Sequence, residues 1–335
     1  MRHFVVVGIF VIVVSILTYV GLDAAELMPE QASAQAVSID WLWDLQLVAM
    51  SFLFALIVVP MAYSFIVFRR RKGETGDGEH IEGNTGLEIT WTVIPLVAVL
   101  GLAYLGAYSL GDISRVDPNA MVVNVRGQQF AWIFEYPEYG IVSDELHLPV
   151  NRQVVLKMES PDVIHSFWVP EFRVKQDVVP GRVTEYRITP TVIGAYKVRC
   201  AELCGSNHYS MINDVIVQSQ ADYDAWIAVQ SELAAASQTP EGIGQRLTVQ
   251  YGCTGCHSLD GSSRPTGPTW LGLFDSQRQL ADGTVVTADE EYIIESILEP
   301  NAKIAAGFQS PSLMPAIPLT NEEIEYIIAY IQTLR

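Results

Sequence analysis

Long uncharged apolar runs fill the first third of this chain, and short alternating runs follow them. From Leu45 to Phe68, and again from Ile89 to Gly111, no charged residue occurs. Each stretch is long enough to cross about 30 Å of hydrocarbon as a helix. Pro60 and Pro95 do not forbid this, because neighbouring helices can satisfy the backbone groups that a proline frees. Trp41, Trp43 and Trp91 stand near the ends, where amphipathic rings favour the membrane interface. An earlier run, Phe4 to Leu22 behind Arg2, reads as a signal peptide or as a third membrane helix. Its apolar part exceeds a usual signal core, whereas Ala32-Ser33-Ala34 offers a small-residue cleavage site. Arg69, Arg70, Arg71 and Lys72 then put the short loop after the first uncharged stretch in the cytoplasm by the positive-inside rule, and everything after Gly111 outside.

Beyond Gly111 the period shortens. Met121 to Val125, Gln153 to Met158, Val183 to Thr189, Ala195 to Cys200 and Asp214 to Gln218 read as strands, punctuated at Pro149, Pro180-Gly181 and Gly194. They predict a compact antiparallel sandwich whose end loops could hold metals. Ala221 to Ser237 reads as a helix at the sandwich edge, and Gln238 to Gly242 as a linker. Gly242 to Tyr251 predicts a helix, and Thr320 to Leu334 a closing amphipathic helix begun by the capping-box pattern Thr320-Asn321-Glu322-Glu323. The resulting division is 1–36 leader or extra helix, 37–114 two-helix anchor, 115–220 sandwich, 221–240 helix and linker, and 241–335 a helical domain.

Composition sharpens this picture. Half the 335 residues are hydrophobic and 17% are charged, but the apolar ones gather early, as in a membrane-anchored chain with soluble domains. The formal charge of -18 argues against nucleic acid as a partner, since phosphate binding needs Lys and Arg clusters. Between Glu241 and Arg335, five Lys and Arg face twelve Asp and Glu, a balance that suits a basic protein donor and equally a merely solvated surface.

The four cysteines form two close pairs, each near a histidine. Cys200, Cys204, His208 and Met211 fall within twelve positions, and His165 lies upstream. Thiolate and thioether ligands with imidazole select copper, and a mononuclear blue site needs only one cysteine. The second sulfur lets two thiolates bridge two coppers, each completed by one histidine. A disulfide or half of a zinc site remain the alternatives for a bare C-x3-C spacing. Cys253-Thr254-Gly255-Cys256-His257 is the C-x-x-C-H signature of covalent haem c, with His257 on the iron. Met314 is the only methionine after Met211 and would be the sixth ligand, because a thioether raises the potential.

These segments resemble subunit II of the haem-copper cytochrome c oxidases. The resemblance rests on Leu87-Glu88-Ile89-Thr90-Trp91-Thr92-Val93-Ile94-Pro95, on His165-Ser166-Phe167-Trp168-Val169-Pro170, and on the loop from Cys200 to Met211. It implies a multi-domain fold: a transmembrane helical hairpin, a cupredoxin-like Greek-key sandwich and an all-α class I cytochrome c domain. It implies a dinuclear CuA centre held by His165, Cys200, the Glu202 carbonyl, Cys204, His208 and Met211. The Glu202 carboxylate would help bind magnesium shared with subunit I, Glu88 would lie at a proton-uptake entrance, and the Gly267-Pro268 turn would let the Pro268 carbonyl accept the His257 ring N–H. One departure stands out. Phe130, in Gly127-Gln128-Gln129-Phe130-Ala131-Trp132, occupies the place where the family carries a tryptophan that receives electrons from soluble cytochrome c, leaving Phe130 and Trp132 as candidate electron-receiving aromatics.

With His165, His208 and His257 assigned, only His3, His80 and His147 remain, too scattered to build an oxygen-reducing site. The resemblance implies that this chemistry belongs to a multi-helix partner, subunit I, with subunit III as a further partner, in a bacterial-type plasma membrane with the copper and haem domains on the outer face. The donor would be a cytochrome c, a small copper protein or an upstream respiratory complex. Two other readings stay open: a CuA-bearing subunit of a nitric oxide reductase, and a copper-delivery protein, which would not need haem.

Overall fold

A computed structural model of the chain describes residues 1–335 apart from 71, 74, 77, 79, 237, 263 and 265. Arg71 of the basic loop and Ser237, the expected end of a helix, lie outside the described residues.

The chain divides into two units. The first comprises Met1–Gln31 and Gln35–Arg115 and is built on three long helices: α1 (Arg2–Asp23), α2 (Ala34–Val67) and α3 (Thr85–Ile113). All three are long and apolar enough to cross a membrane. Their large side chains, among them Phe4, Leu17, Phe65, Ile94 and Leu100, stay exposed, as lipid-facing residues must. Helix α1 lies on α2 through Val7, Val11 and Val14 against Ala55 and Val59, and His3 Nδ1 sits 2.7 Å from the Tyr63 hydroxyl. Ser38 and Ser109 hydroxyls, 2.6 Å apart, join α2 to α3. Small hydroxyls of this kind tie helices where lipid offers no hydrophobic drive. Helix α2 starts eleven residues before Leu45, because Asp40 and Asp44 can be solvated on a helix that at 1.5 Å per residue outruns a hydrocarbon core of about 30 Å. Asn84 caps α3, its side chain accepting from Leu87 N at 3.0 Å.

The second unit is Ala32–Ala34 with Val116–Arg335. Its first half holds two five-stranded sheets. One is ordered β3-β2-β1-β5-β8, from Ile141–Ser143 (β3), Ala131–Tyr136 (β2), Met121–Gln128 (β1), Val154–Glu159 (β5) and Thr184–Ile188 (β8). The other is β4-β10-β9-β6-β7, from Leu146–Pro149 (β4), Ile212–Gln218 (β10), Gly194–Cys200 (β9), His165–Val169 (β6) and Val174–Val178 (β7). Met121, Val123 and Val125 alternate inward on β1, while Trp132, Phe134, Phe167 and Val198 fill the space between the sheets. The expectation of a purely antiparallel sandwich is corrected: β1 with β5 and β4 with β10 run parallel. The chain crosses between sheets at β4 and comes back beside β1, which sets those neighbours in the same direction.

Ala32-Ser33-Ala34 is woven into this sandwich. Ala32 N donates to Glu171 O and Ala34 N to Thr189 O, each at 2.9 Å. Ser33 Oγ donates to Phe172 O at 2.9 Å, and both Ala32 and Ser33 are fully buried.

The second half is helical: α4 (Gln220–Ala236), α5 (Pro240–Gln250), α6 (Glu290–Leu298) and α7 (Asn321–Thr333), with a two-stranded ribbon of β11 (Gln277–Gln279) and β12 (Val285–Thr287) between α5 and α6. Helix α5 starts inside the expected linker, because Thr239 caps it and Pro240 fits the first helical turn. The capping box at Thr320 and Glu323 is formed. Helices α5 and α7 meet at Gly244, where a Cβ would lie 1.9 Å from the Tyr326 carbonyl oxygen; no other residue type allows this approach. Leu247, Ile293, Ile324, Ile327 and Ile331 close the core around the crossing.

Candidate metal and haem sites

Strand pairing assembles the first site. Cys200 ends β9 and Met211 directly precedes β10, so the loop 201–211 joins two adjacent strands. His165 opens β6, which pairs with β9 through Phe167 and Cys200. Pairing thus sets an imidazole from a distant part of the sequence beside the loop. His165 Nδ1 and Cys204 Sγ each lie 3.8 Å from Cys200 Sγ. His208 Nδ1 lies 3.6 Å and Met211 Sδ 3.9 Å from Cys204 Sγ. The Cys200 thiol points to the Glu202 carbonyl at 3.2 Å.

A disulfide requires sulfurs about 2.05 Å apart, so the 3.8 Å separation sets that alternative aside. His165, Cys200 and Cys204 are all buried and offer ligand atoms within 4.8 Å of one another. Soft sulfur beside imidazole, closed off from water with Met211 fully buried, suits a CuA-type copper site.

Asp162 was not marked by the sequence reading. Its Oδ1 accepts from His165 Nε2 at 2.9 Å, which leaves Nδ1 free to face Cys200; a carboxylate behind a ligating histidine fixes the tautomer in this way. Burial alone would raise the Asp162 carboxyl, but hydrogen bonds from His165 and the amides of Gln129 and Val163 outweigh it and hold it at about 2. Burial also works against a charged His165, yet Asp162 and Cys200 together raise its proton affinity. Burial pushes up both thiols of the pair; His165 nevertheless draws Cys200 well down, and the charge there pushes Cys204 up.

The second site is an open cleft in the helical domain, lined by Cys253, Cys256, His257, Pro268, Trp270 and Met314 among others. His257 Nδ1 lies 2.8 Å from the Pro268 carbonyl, and its ring stacks on Trp270 at 4.9 Å. Burial keeps His257 below the usual imidazole value and raises the Cys253 thiol to about 12 and the Cys256 thiol above normal. The two sulfurs are unpaired, and an apolar cleft with one oriented imidazole fits a haem.

The other marked residues are placed apart. Glu202 is exposed. Glu88 is exposed in the first turn of α3, with Asn84 N donating to its carboxylate at 3.4 Å. Phe130 and Trp132 are both buried. Trp132 stands edge-on to His165 at 6.0 Å, and the haem domain covers the turn that carries Phe130. There Gln128 Nε2 donates to Tyr251 O at 2.7 Å and Arg126 to Gln250 O at 3.3 Å.

Three family models match the chain. Residues 21–110 match the transmembrane domain of cytochrome c oxidase subunit II, residues 141–220 its periplasmic domain, and residues 243–335 cytochrome c. Cytochrome c oxidase subunit 2 of Alkalihalophilus pseudofirmus is 30% identical over 307 residues, 88% of this chain and 87% of the relative. The Synechocystis protein of that name is 36% identical over 61% of this chain and 76% of its own length. The protein of that name from Thermostichus vulcanus is 37% identical over 64% and 81%. With membrane helices, a buried His/Cys/Cys cluster on a cupredoxin-like sandwich and a fused cytochrome c domain in that order, the chain belongs to the cytochrome c oxidase subunit II family.

Proposed function

We propose that this chain takes electrons from an external donor at a covalent haem c, passes them to a dinuclear copper centre, and delivers them to the oxygen-reducing haem-copper centre of subunit I, where reduction is coupled to proton translocation. Family membership carries the electron-relay role and the place in a haem-copper oxidase complex. The observation that supports two coppers is the pair of sulfurs 3.8 Å apart, each beside a different imidazole; a single blue copper takes only one thiolate.

His165, Cys200, the Glu202 carbonyl, Cys204, His208 and Met211 would hold the metal pair. Cys253 and Cys256 would anchor the haem through thioethers, with His257 and Met314 on the iron. When bound, the copper pair and the haem each supply a one-electron carrier. The protein's part is to orient and to exclude water: Asp162 fixes the His165 tautomer, the Pro268 carbonyl fixes that of His257, and Met211 seals the copper side. Phe130 and Trp132 then form a buried path and not a docking face, since the haem domain lies over their turn.

The exposed Glu202 carboxylate is free to share magnesium with subunit I, and Leu203 and Tyr209 beside it are 78% and 65% exposed, an apolar surface suited to that subunit. Subunit III completes the assembly. Glu88, next to the basic cytoplasmic loop, marks the proton-uptake entrance. The acidic haem domain receives the donor, whether a cytochrome c, a small copper protein or an upstream complex. The domains run 37–114, 115–220 and 241–335, joined by 221–240, with the segment 1–36 contributing a third membrane helix at Arg2–Asp23. Purification with the neighbouring subunits tests the reading: oxygen consumption from reduced donor is expected, and consumption of nitric oxide alone would overturn it.

A further inference from the structure

Four consecutive residues at the β1–β2 turn touch both sites. Gln128 donates to the Tyr251 carbonyl two residues before Cys253, at 2.7 Å. Ala131 lies so close to the haem motif that a Cβ on Gly252 or Gly255 would meet its methyl at 3.2 and 2.8 Å. The Phe130 ring fills the space over Gly205, where a Cβ would meet it at 3.0 Å. Gln129 faces three ways. Its amide N donates to Asp162 Oδ2 at 2.7 Å, its side-chain Nε2 donates to the Cys204 carbonyl, and the residue lines the haem-side cleft. Asp162 in turn holds His165 through its other oxygen.

We infer that Gln129 is a positioning residue that couples the two redox sites: it fixes the Cys204 loop and the carboxylate behind His165 while forming part of the haem cleft wall. The inference rests on the proposed copper and haem assignments. One side chain thus holds a copper-side carbonyl and forms part of the haem-side wall, and groups just behind metal ligands typically change affinity or activity by about 10–100-fold when removed. It also gives Phe130 a physical setting. The haem domain lies over this turn; the hydrogen bonds across the seam come from Arg126 and Gln128, while Gln129 lines the haem-side cleft and keeps both of its hydrogen bonds on the copper side.

The test uses the intact oxidase complex carrying Gln129→Leu, Gln129→Glu or Gln128→Leu. Glutamate keeps the size of glutamine, but its carboxylate cannot donate to the Cys204 carbonyl, so a purely space-filling role would survive that change. Gln128→Leu loosens the seam without touching the copper loop. Both Gln129 variants are expected to shift the copper EPR hyperfine pattern, to release copper to bathocuproine about tenfold faster, and to slow electron transfer from photoreduced haem c to copper. The haem α-band should stay unmoved, and Gln128→Leu should leave the copper spectrum as it was. Unchanged copper spectra and release in both Gln129 variants would overturn the inference, as would an equal copper shift in Gln128→Leu. Should the unmodified complex itself contain no copper pair, the underlying assignment fails first and is recognised by the metal count alone.

Discussion

Asp162 and His165 form a fixed pair: the carboxylate Oδ1 stands 2.9 Å from a fully buried imidazole Nε2 and turns its Nδ1 toward Cys200. Asp162→Ala frees the ring to choose its tautomer and rotate. Copper affinity is expected to fall about 10–100-fold while the haem c spectrum stays intact. Copper competition titration on the purified complex checks this, and equal affinity would show that the ring is held by something else.

Met211 is fully buried against the Cys204 sulfur. Met211→Leu conserves volume, a swap that usually costs under about 1.5 kcal/mol, so the sandwich should persist while the weak thioether contact is lost. A changed copper potential and an unchanged haem spectrum are expected in a redox titration. A lost haem band would contradict independent sites.

Gly244→Ala puts a methyl where the Tyr326 carbonyl already sits. Overpacking of this kind costs about 1–3 kcal/mol, occasionally more, and here backbone and not a flexible side chain must give. Reduced yield of haem-loaded protein and a lowered melting temperature of the haem domain are expected, with the copper spectrum retained. A melting temperature within a degree of the unmodified protein would refute the tight crossing.

Ala32-Ser33-Ala34 is hydrogen bonded at four points inside the sandwich. Removal of these residues with a leader would uncover Glu171, Phe172 and Thr189 carbonyls and the Thr191 amide, each costing about 1–3 kcal/mol if left unsatisfied. The mature chain is therefore expected to keep them. Intact-mass measurement or N-terminal sequencing decides, and a mature chain beginning at Gln35 would contradict the structural role.

Much of the site was legible because its spacing is linear. Cys200, Cys204, His208 and Met211 sit on one loop, and Cys253, Cys256 and His257 on one turn, so residue type and interval carry the chemistry. Asp162 and Gln129 could not be read that way. Their roles arise from β6 pairing with β9 and from the β1–β2 turn folding over the copper loop, contacts that span 33 and 75 positions. A carboxylate three residues before His165 was the one available signal for Asp162. In the fold, β1 showed its alternation plainly, whereas β2, with Ala131 to Phe134 all buried, has no period-two pattern to find. The parallel pairs β1–β5 and β4–β10 leave no local trace, since direction depends on where the chain crosses between sheets. The membrane helices were recognisable by absence of charge, which marks the hydrocarbon span and not the helix end; hence α2 begins at Ala34.

On the proposed reading, one chain would hold a copper pair at Cys200 and Cys204 together with a haem c at Cys253 and Cys256. Elemental analysis and EPR on the purified complex, performed on the unmodified protein and on Cys253→Ala, test it most directly. Two coppers in this subunit with one unpaired electron shared between them are expected, and a haem signal on the denatured chain that disappears in Cys253→Ala while the copper signal remains. A single copper with the hyperfine pattern of an isolated ion, or Cys200 and Cys204 recovered as a disulfide in the metal-loaded complex, would contradict it.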